Sequence, residues 1–264
     1  MKHELGFNRR RAMRALAGFA AGSPLLRGQL APTIEDMVNV FDFEPVARGR
    51  MTKESFDYVQ TGVDDEWTLR RNREGFERYL LRPRMLADAS ALDLSCELFG
   101  EKLAMPILVA PTGAHQLIHP DGEIATMKAS CAVKSLMAIS TVSSYPFEKI
   151  AEAATGPFWF QLYPGPDREG TDERVARVVA GGAKAIVVTA DLPYISHRER
   201  LMRNRISGPA PQGLNVPLRR SRRGASEPEQ PHKYRLQPTY VAQVTWAYIG
   251  ELKSLGWEVL EGPK

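Results

Sequence analysis

Four short apolar runs set the strongest limit on how this chain can fold. They are Met105 to Gly113, Ala138 to Thr141, Phe158 to Pro164 and Ala185 to Pro193, and each ends in small or polar residues. Between successive runs lies enough chain for one helix and two loops. Continuous apolar runs of this length suit strands buried on both faces, and strands alternating with helices imply a parallel sheet. In (β/α) barrels the chemistry collects where strands end, so a polar residue at each C-terminal edge reads as site-forming. A full eight-fold barrel takes roughly 250 residues. The first barrel-like strand starts only near Met105 of 264 residues, so five strand–helix units at most are written. The expectation is an α/β chain of (β/α) type with about the first half of a barrel behind an N-terminal helical cap, so that either a closed barrel is absent or a partner or missing sequence completes it. The open strand edges of such a half predict low stability or aggregation.

The formal charge of +4 is local: Lys2, Arg9, Arg10, Arg11, Arg14 and Arg27 face the single acid Glu4 within residues 1–30, which leaves the remainder at −1. A nucleic-acid-binding face needs basic residues spread over folded elements, and none is written here. The twin arginines before the Ala/Gly-rich stretch Ala15–Gly22 instead read residues 1–32 as a Tat-like export signal, with a periplasmic destination expected and a cytoplasmic one the alternative. Residues 206–238 form a basic insert with six prolines and the run Arg219-Arg220-Ser221-Arg222-Arg223. It reads as a solvated mobile loop, with peripheral contact to an anionic membrane surface the sharper alternative, since each basic residue there adds ~1 kcal/mol. Cys96 and Cys131 are the only cysteines and have no metal or redox spacing. They read as small packed residues, one disulfide after export being the alternative.

Ahead of the sheet, Thr33 is an N-cap candidate with acids in the following turn, a second helix is expected over 52–59, and a third from Asp64 to about Tyr79. Extended pieces at Leu80–Met85 and Leu92–Leu98 and a turn at Gly100-Glu101-Lys102 read as a hairpin closing the barrel's bottom. Helices are expected at Gly122–Lys134, Pro146–Ala154, Asp172–Ala180 and Val241–Leu255, with Gly181-Gly182 as a helix stop. Trp257–Glu261 reads as a fifth strand.

Motifs in a fixed order then carry a resemblance. They are Asp57-Tyr58 with Gly62, Asp65, Trp67-Thr68 and Asn72; Arg82-Pro83-Arg84; Pro106 through Ala110-Pro111-Thr112-Gly113; His119-Pro120-Asp121-Gly122-Glu123; Ser140-Thr141; Phe160-Gln161-Leu162-Tyr163; and Thr189-Ala190-Asp191 followed by Arg198-Glu199. With these the chain resembles the FMN-dependent α-hydroxy-acid dehydrogenases and oxidases from about Thr33 to Leu260.

The resemblance implies a TIM (β/α)8 barrel, C-terminally truncated in this chain, with FMN across its C-terminal mouth and oxidation of a small L-2-hydroxy acid to the 2-oxo acid. Ala110, Pro111 and Thr112 would pass their backbone beside the flavin, with Gly113 allowing close approach. Ser140, Gln161 and Thr189 would hydrogen-bond its polar rim. Tyr58, Tyr163 and Arg198 would face the substrate carboxylate, which phenols and a guanidinium suit. Read without the resemblance, Pro-Thr-Gly is a turn, the three rim residues satisfy loops, Tyr58 packs inward, and Arg198 sits on a solvated helix face. Oxygen, a quinone or a cytochrome would accept the electrons, and such proteins are often homo-oligomeric.

The resemblance also implies a base histidine in a Ser-Asn-His-Gly stretch with an arginine close behind. None of His3, His115, His119, His197 or His232 stands in such a motif, so no catalytic residue is assigned. Glu261 falls where the resemblance implies a lysine, with Lys264 beyond it. Two rival readings therefore stand beside the enzyme: a catalytically inactive remnant or flavin-free binding and assembly protein, and a different (β/α) barrel without flavin.

Overall fold

The computed structural model describes residues 33–86, 88, 90–165, 168–192, 196–203 and 244–254. The basic leader, the proline-rich insert, the expected fifth strand and Glu261 lie outside the described residues. The chain divides into two compact units, one up to Lys53 and one from Glu54.

In the first unit Thr33 begins a 3-10 turn at Ile34–Asp36, and the Asp36 carboxylate accepts the Thr33 backbone N–H at 2.7 Å. A second turn, Val40–Asp42, leads into helix α1 (Phe43–Arg50), braced by a Glu44–Arg48 pair one turn apart. Helix α1 is not among the helices expected from the sequence.

Helix α2 (Lys53–Gln60) falls where expected. The third helix is shorter than expected: α3 spans Trp67–Glu74 and ends in a 3-10 turn at Gly75–Arg78. Its start is delayed because Asp64 and Glu66 have left-handed backbones, φ 47° and 56°, which a right-handed helix cannot include. The acids expected in its first turn shape the preceding turn instead. Leu80–Met85 forms no strand. The expected hairpin is present, with β1 (Cys96–Leu98) antiparallel to β2 (Glu101–Leu103).

The main sheet holds β3 (Val109–Thr112), β4 (Met137–Ser140), β5 (Phe158–Leu162) and β6 (Ile186–Val188), all parallel and side by side in chain order. Helices α4 (Gly122–Ala132), α5 (Phe147–Ala151) and α6 (Arg168–Ala180) connect successive strands. The β3–β4 register slips between Val109 and Thr112, where Pro111 has no N–H to offer the ladder.

Period-two alternation sorts the sheet's faces. Phe158, Phe160 and Leu162 of β5 and Met137 and Ile139 of β4 join Met127, Phe147, Ile150, Val175 and Val178 of the helices in one buried cluster. Phe147 packs edge-on to Phe160 at 5.7 Å. Trp159, on the other face of β5, packs at a 44° tilt against Phe99 of the hairpin turn, with centroids 5.3 Å apart. Ala104 N–H donates to the Lys134 carbonyl, and Lys184 lies 3.8 Å from Glu101. The hairpin is thus fixed to the end of the sheet where β4 and β6 begin, which keeps it away from the strands' C-terminal edges.

Helix α6 stops as expected. Gly182 takes φ 98°, and the Gly182 and Ala183 N–H groups turn back to the Val179 and Val178 carbonyls. Two further helices follow, α7 (Glu199–Arg203) and α8 (Trp246–Ser254), the latter inside the span expected for it. Arg168 of α6 holds α8 through an ion pair with Glu251 and by lying 5.2 Å over the Tyr248 ring. Both cysteines are free thiols, Cys131 on α4 as expected. Among the described residues no helix is long and apolar enough to cross a membrane.

Candidate active site

A parallel sheet sends successive strand ends to the same edge, so side chains at those ends meet across neighbours. Ser140 closes β4, Gln161 lies opposite it in the β4–β5 register, and Thr189 follows β6. Their side chains form one hydrogen-bonded row. Ser140 Oγ donates to Gln161 Oε1 at 3.2 Å, and Gln161 Nε2 donates to Thr189 Oγ1 at 2.8 Å. Thr141 locks the row from above: its N–H donates to Gln161 Oε1, its hydroxyl to the Gln161 carbonyl, and it accepts the Tyr163 N–H. Ser140 is 2% and Gln161 3% exposed, and burying such groups is tolerable only because they are paired. The result is a neutral donor and acceptor edge of fixed orientation.

Ala110, Pro111 and Thr112 stand exposed at the end of β3, beside this row. Gly113 follows, and its reason is more local than the sequence reading held. A Cβ there would lie 2.3 Å from Val142 Cγ2 and 2.9 Å from the Val142 carbonyl oxygen. The same carbonyl accepts the Ala114 N–H, which joins the β3 and β4 loops. Glycine at 113 is therefore required by the neighbouring loop, whatever lies over it.

Tyr58, Tyr163 and Arg198 come from α2, the end of β5 and the segment before α7. The Arg198 guanidinium lies 5.2 Å over the Tyr58 ring and donates to the Tyr58 carbonyl at 3.0 Å. Burial pushes the Tyr163 phenol above its ordinary range, and the charges of Asp191 and Tyr58 push it the same way. The phenol is held protonated, as a donor, and the three substrate candidates share one neighbourhood.

Several residues beside these carry no role in the sequence reading. The charge of Asp191 raises the Tyr163 phenol, and its signal in the sequence is a carboxylate two residues after the strand-end Thr189. Glu123, wholly buried on α4, accepts the His115 and Ser144 N–H groups on Oε1 at 2.9 and 2.8 Å, tying the loops after β3 and β4 together. Its His-Pro-Asp-Gly-Glu motif was visible, but its partner loops were not. Arg200 reaches Gln60 and Glu66.

A profile of the FMN-dependent dehydrogenase family matches residues 47–259. Glycolate oxidase 1 of Zea mays is 39% identical over 170 residues, 64% of this chain and 46% of that protein. Glycolate oxidase 3 of Arabidopsis thaliana is 38% identical over 181 residues, 69% of this chain and 49% of that protein. Among solved structures, mandelate oxidase with (S)-2-phenylpropionate superposes with a TM-score of 0.65 at 35% identity, over 68% of this chain and 54% of that one. The parallel sheet with its alternating helices is part of the TIM-barrel fold of a flavin-dependent family. The chain belongs to the FMN-dependent dehydrogenase family, and it spans about half the length of the curated relatives it matches.

FMN is the cofactor of this family. The strand-end donor set fits it: two hydroxyls and a carboxamide on one edge match a heterocycle rim that alternates N–H and carbonyl groups. A carboxylate in that row would fit it poorly, and the row holds none.

Proposed function

We propose that this chain holds FMN at the C-terminal edge of its sheet and serves the oxidation of a small L-2-hydroxy acid to the 2-oxo acid. The observation that carries the reading is the row Ser140–Gln161–Thr189, its first two members buried, ending beside Tyr163, with Tyr58 and Arg198 in the same neighbourhood. Held there, FMN would supply the two-electron acceptor for the oxidation, which removes the α-hydrogen and the hydroxyl proton together with two electrons. Gln161 presents its amide in one orientation, because Ser140, Thr141 and Thr189 have fixed it. Ala110, Pro111 and Thr112 border the flavin from the end of β3. Arg198 pairs with the substrate carboxylate, since a guanidinium has five N–H donors and spends one on the Tyr58 carbonyl. Tyr163 adds a neutral hydrogen bond, and its raised phenol keeps the proton on that oxygen at neutral pH. Relatives named as glycolate and mandelate oxidases support substrates of that kind. They also favour oxygen over a quinone or cytochrome as electron acceptor. The twin-arginine leader supports export to the periplasm.

A second reading, flavin binding without turnover, is favoured by the described histidines. His115 bonds Thr126, His119 lies by Asp121 and His197 bonds Asp64, so each already has a partner away from the row. The test is reconstitution with FMN, removal of excess, and anaerobic addition of glycolate, L-lactate or (S)-mandelate. Retained yellow colour that bleaches supports the oxidation. Colour that persists supports the second reading, and a colourless chain refutes both.

A further inference from the structure

Arg198 stands on a short segment between the end of β6 and α7, and a side chain on a connection holds its place only if the backbone is anchored. The anchor is visible on both sides of it. One residue earlier, His197 makes a two-point contact with the turn after α2: the Asp64 N–H donates to the His197 carbonyl at 3.1 Å, and His197 Nδ1 lies 2.7 Å from Asp64 Oδ1. An ionised carboxylate can only accept, so Nδ1 carries the proton. Two residues later, Arg200 reaches Gln60 Oε1 at 3.2 Å and Glu66 Oε1 at 3.4 Å, with Asp57 at 3.9 Å. The two residues that receive His197 and Arg200, Asp64 and Glu66, are also the two with left-handed backbones in this turn. Strained backbone persists where its surroundings over-determine it, often at functional clamps.

We propose that His197 and Asp64 form a positioning latch for Arg198, which holds its guanidinium against Tyr58, ready to take a carboxylate. The carboxylate part rests on the function proposed above, while the latch stands on the contacts alone. His197 is a positioning residue, because it acts through its neighbour in the chain. The latch also explains why Tyr58 and Arg198, 140 positions apart, arrive as one unit.

Asp64→Asn is the sharp variant, because asparagine accepts the left-handed backbone at least as readily and removes only the charge. His197→Ala removes the donor, and His197→Gln keeps an N–H to offer. NMR follows the Tyr58 ring and Arg198 Nε–H signals of the chain, and calorimetry follows oxalate, a carboxylate that is not oxidised, on the chain with FMN added. The latch predicts that Asp64→Asn and His197→Ala displace both signals and weaken oxalate roughly tenfold, the scale of one charge-assisted hydrogen bond. His197→Gln should stay close to the natural chain, with circular dichroism unchanged in all three. Signals that stay in place in Asp64→Asn and His197→Ala overturn the latch, whatever the affinity does. Signals displaced in these two variants, with a natural chain that does not bind oxalate, leave the latch standing and refute the substrate reading instead.

Discussion

Replacing Gly113 by alanine adds a methyl 2.3 Å from Val142 Cγ2, 2.9 Å from the Val142 carbonyl oxygen and 3.3 Å from Val142 Cβ. A valine methyl can turn aside, but the carbonyl is backbone and already accepts the Ala114 N–H at 3.1 Å. Overpacking of this kind costs about 1–3 kcal/mol. Alanine's smaller unfolded-state entropy returns about 0.4–1 kcal/mol. The net expectation is a loss of about 1–2 kcal/mol, with each kcal/mol lowering Tm by about 2–4 °C in a chain of this size. Thermal unfolding of the flavin-free chain, followed by circular dichroism, measures it. Val142→Ala removes the nearest atom and leaves the carbonyl, so the Gly113→Ala/Val142→Ala pair should recover part of the loss, with a coupling of about 1 kcal/mol. A flavin-free Gly113→Ala chain as stable as the natural one, or more so, would refute the reasoning. Position 113 would then be glycine only for what approaches it from outside.

Glu123→Ala should cost about 2–4 kcal/mol in urea unfolding, because it strands the buried Ser144 N–H and the half-buried His115 N–H, while Glu123→Gln, which keeps an acceptor oxygen, should lose much less. Gln161→Leu should cost about 1–3 kcal/mol by unpairing Thr141 N–H, and should weaken FMN retention by at least about tenfold on gel filtration. Ultraviolet titration should find the Tyr163 phenol above the usual tyrosine range, and Asp191→Asn should lower it by removing the second cause of the shift. Since the folded phenol holds its proton more tightly than the unfolded one, that stability is fully present below about pH 10 and is lost as pH rises through the folded titration. Tyr163→Phe should therefore flatten the alkaline decline.

The sheet was legible because its strands are continuous apolar runs, a pattern that survives any tertiary context, and the row Ser140–Gln161–Thr189 followed from where those runs end. Glycines 181 and 182 marked the end of α6 for the same local reason. The start of α3 was not legible: charge placement favoured Asp64, but two left-handed residues held by a segment over 130 positions away decided it. Helix α1 was missed because Phe43–Arg50 has no clear apolar stripe, and Pro45 in its first turn reads as a break as easily as a start. The close approach of Val142 to Gly113 is not legible in the sequence, since Val142 belongs to another loop. The partners of Glu123 and His197 are equally remote in sequence, which local pattern cannot supply.

The central claim is that the strand-end row of this chain holds FMN, and the most direct measurement is a binding titration of FMN by the natural chain beside Gln161→Leu. The account predicts saturable binding by the natural chain at one FMN per chain, and loss of it in a variant that remains folded. Equal binding by both chains, or none by the natural one, would contradict it.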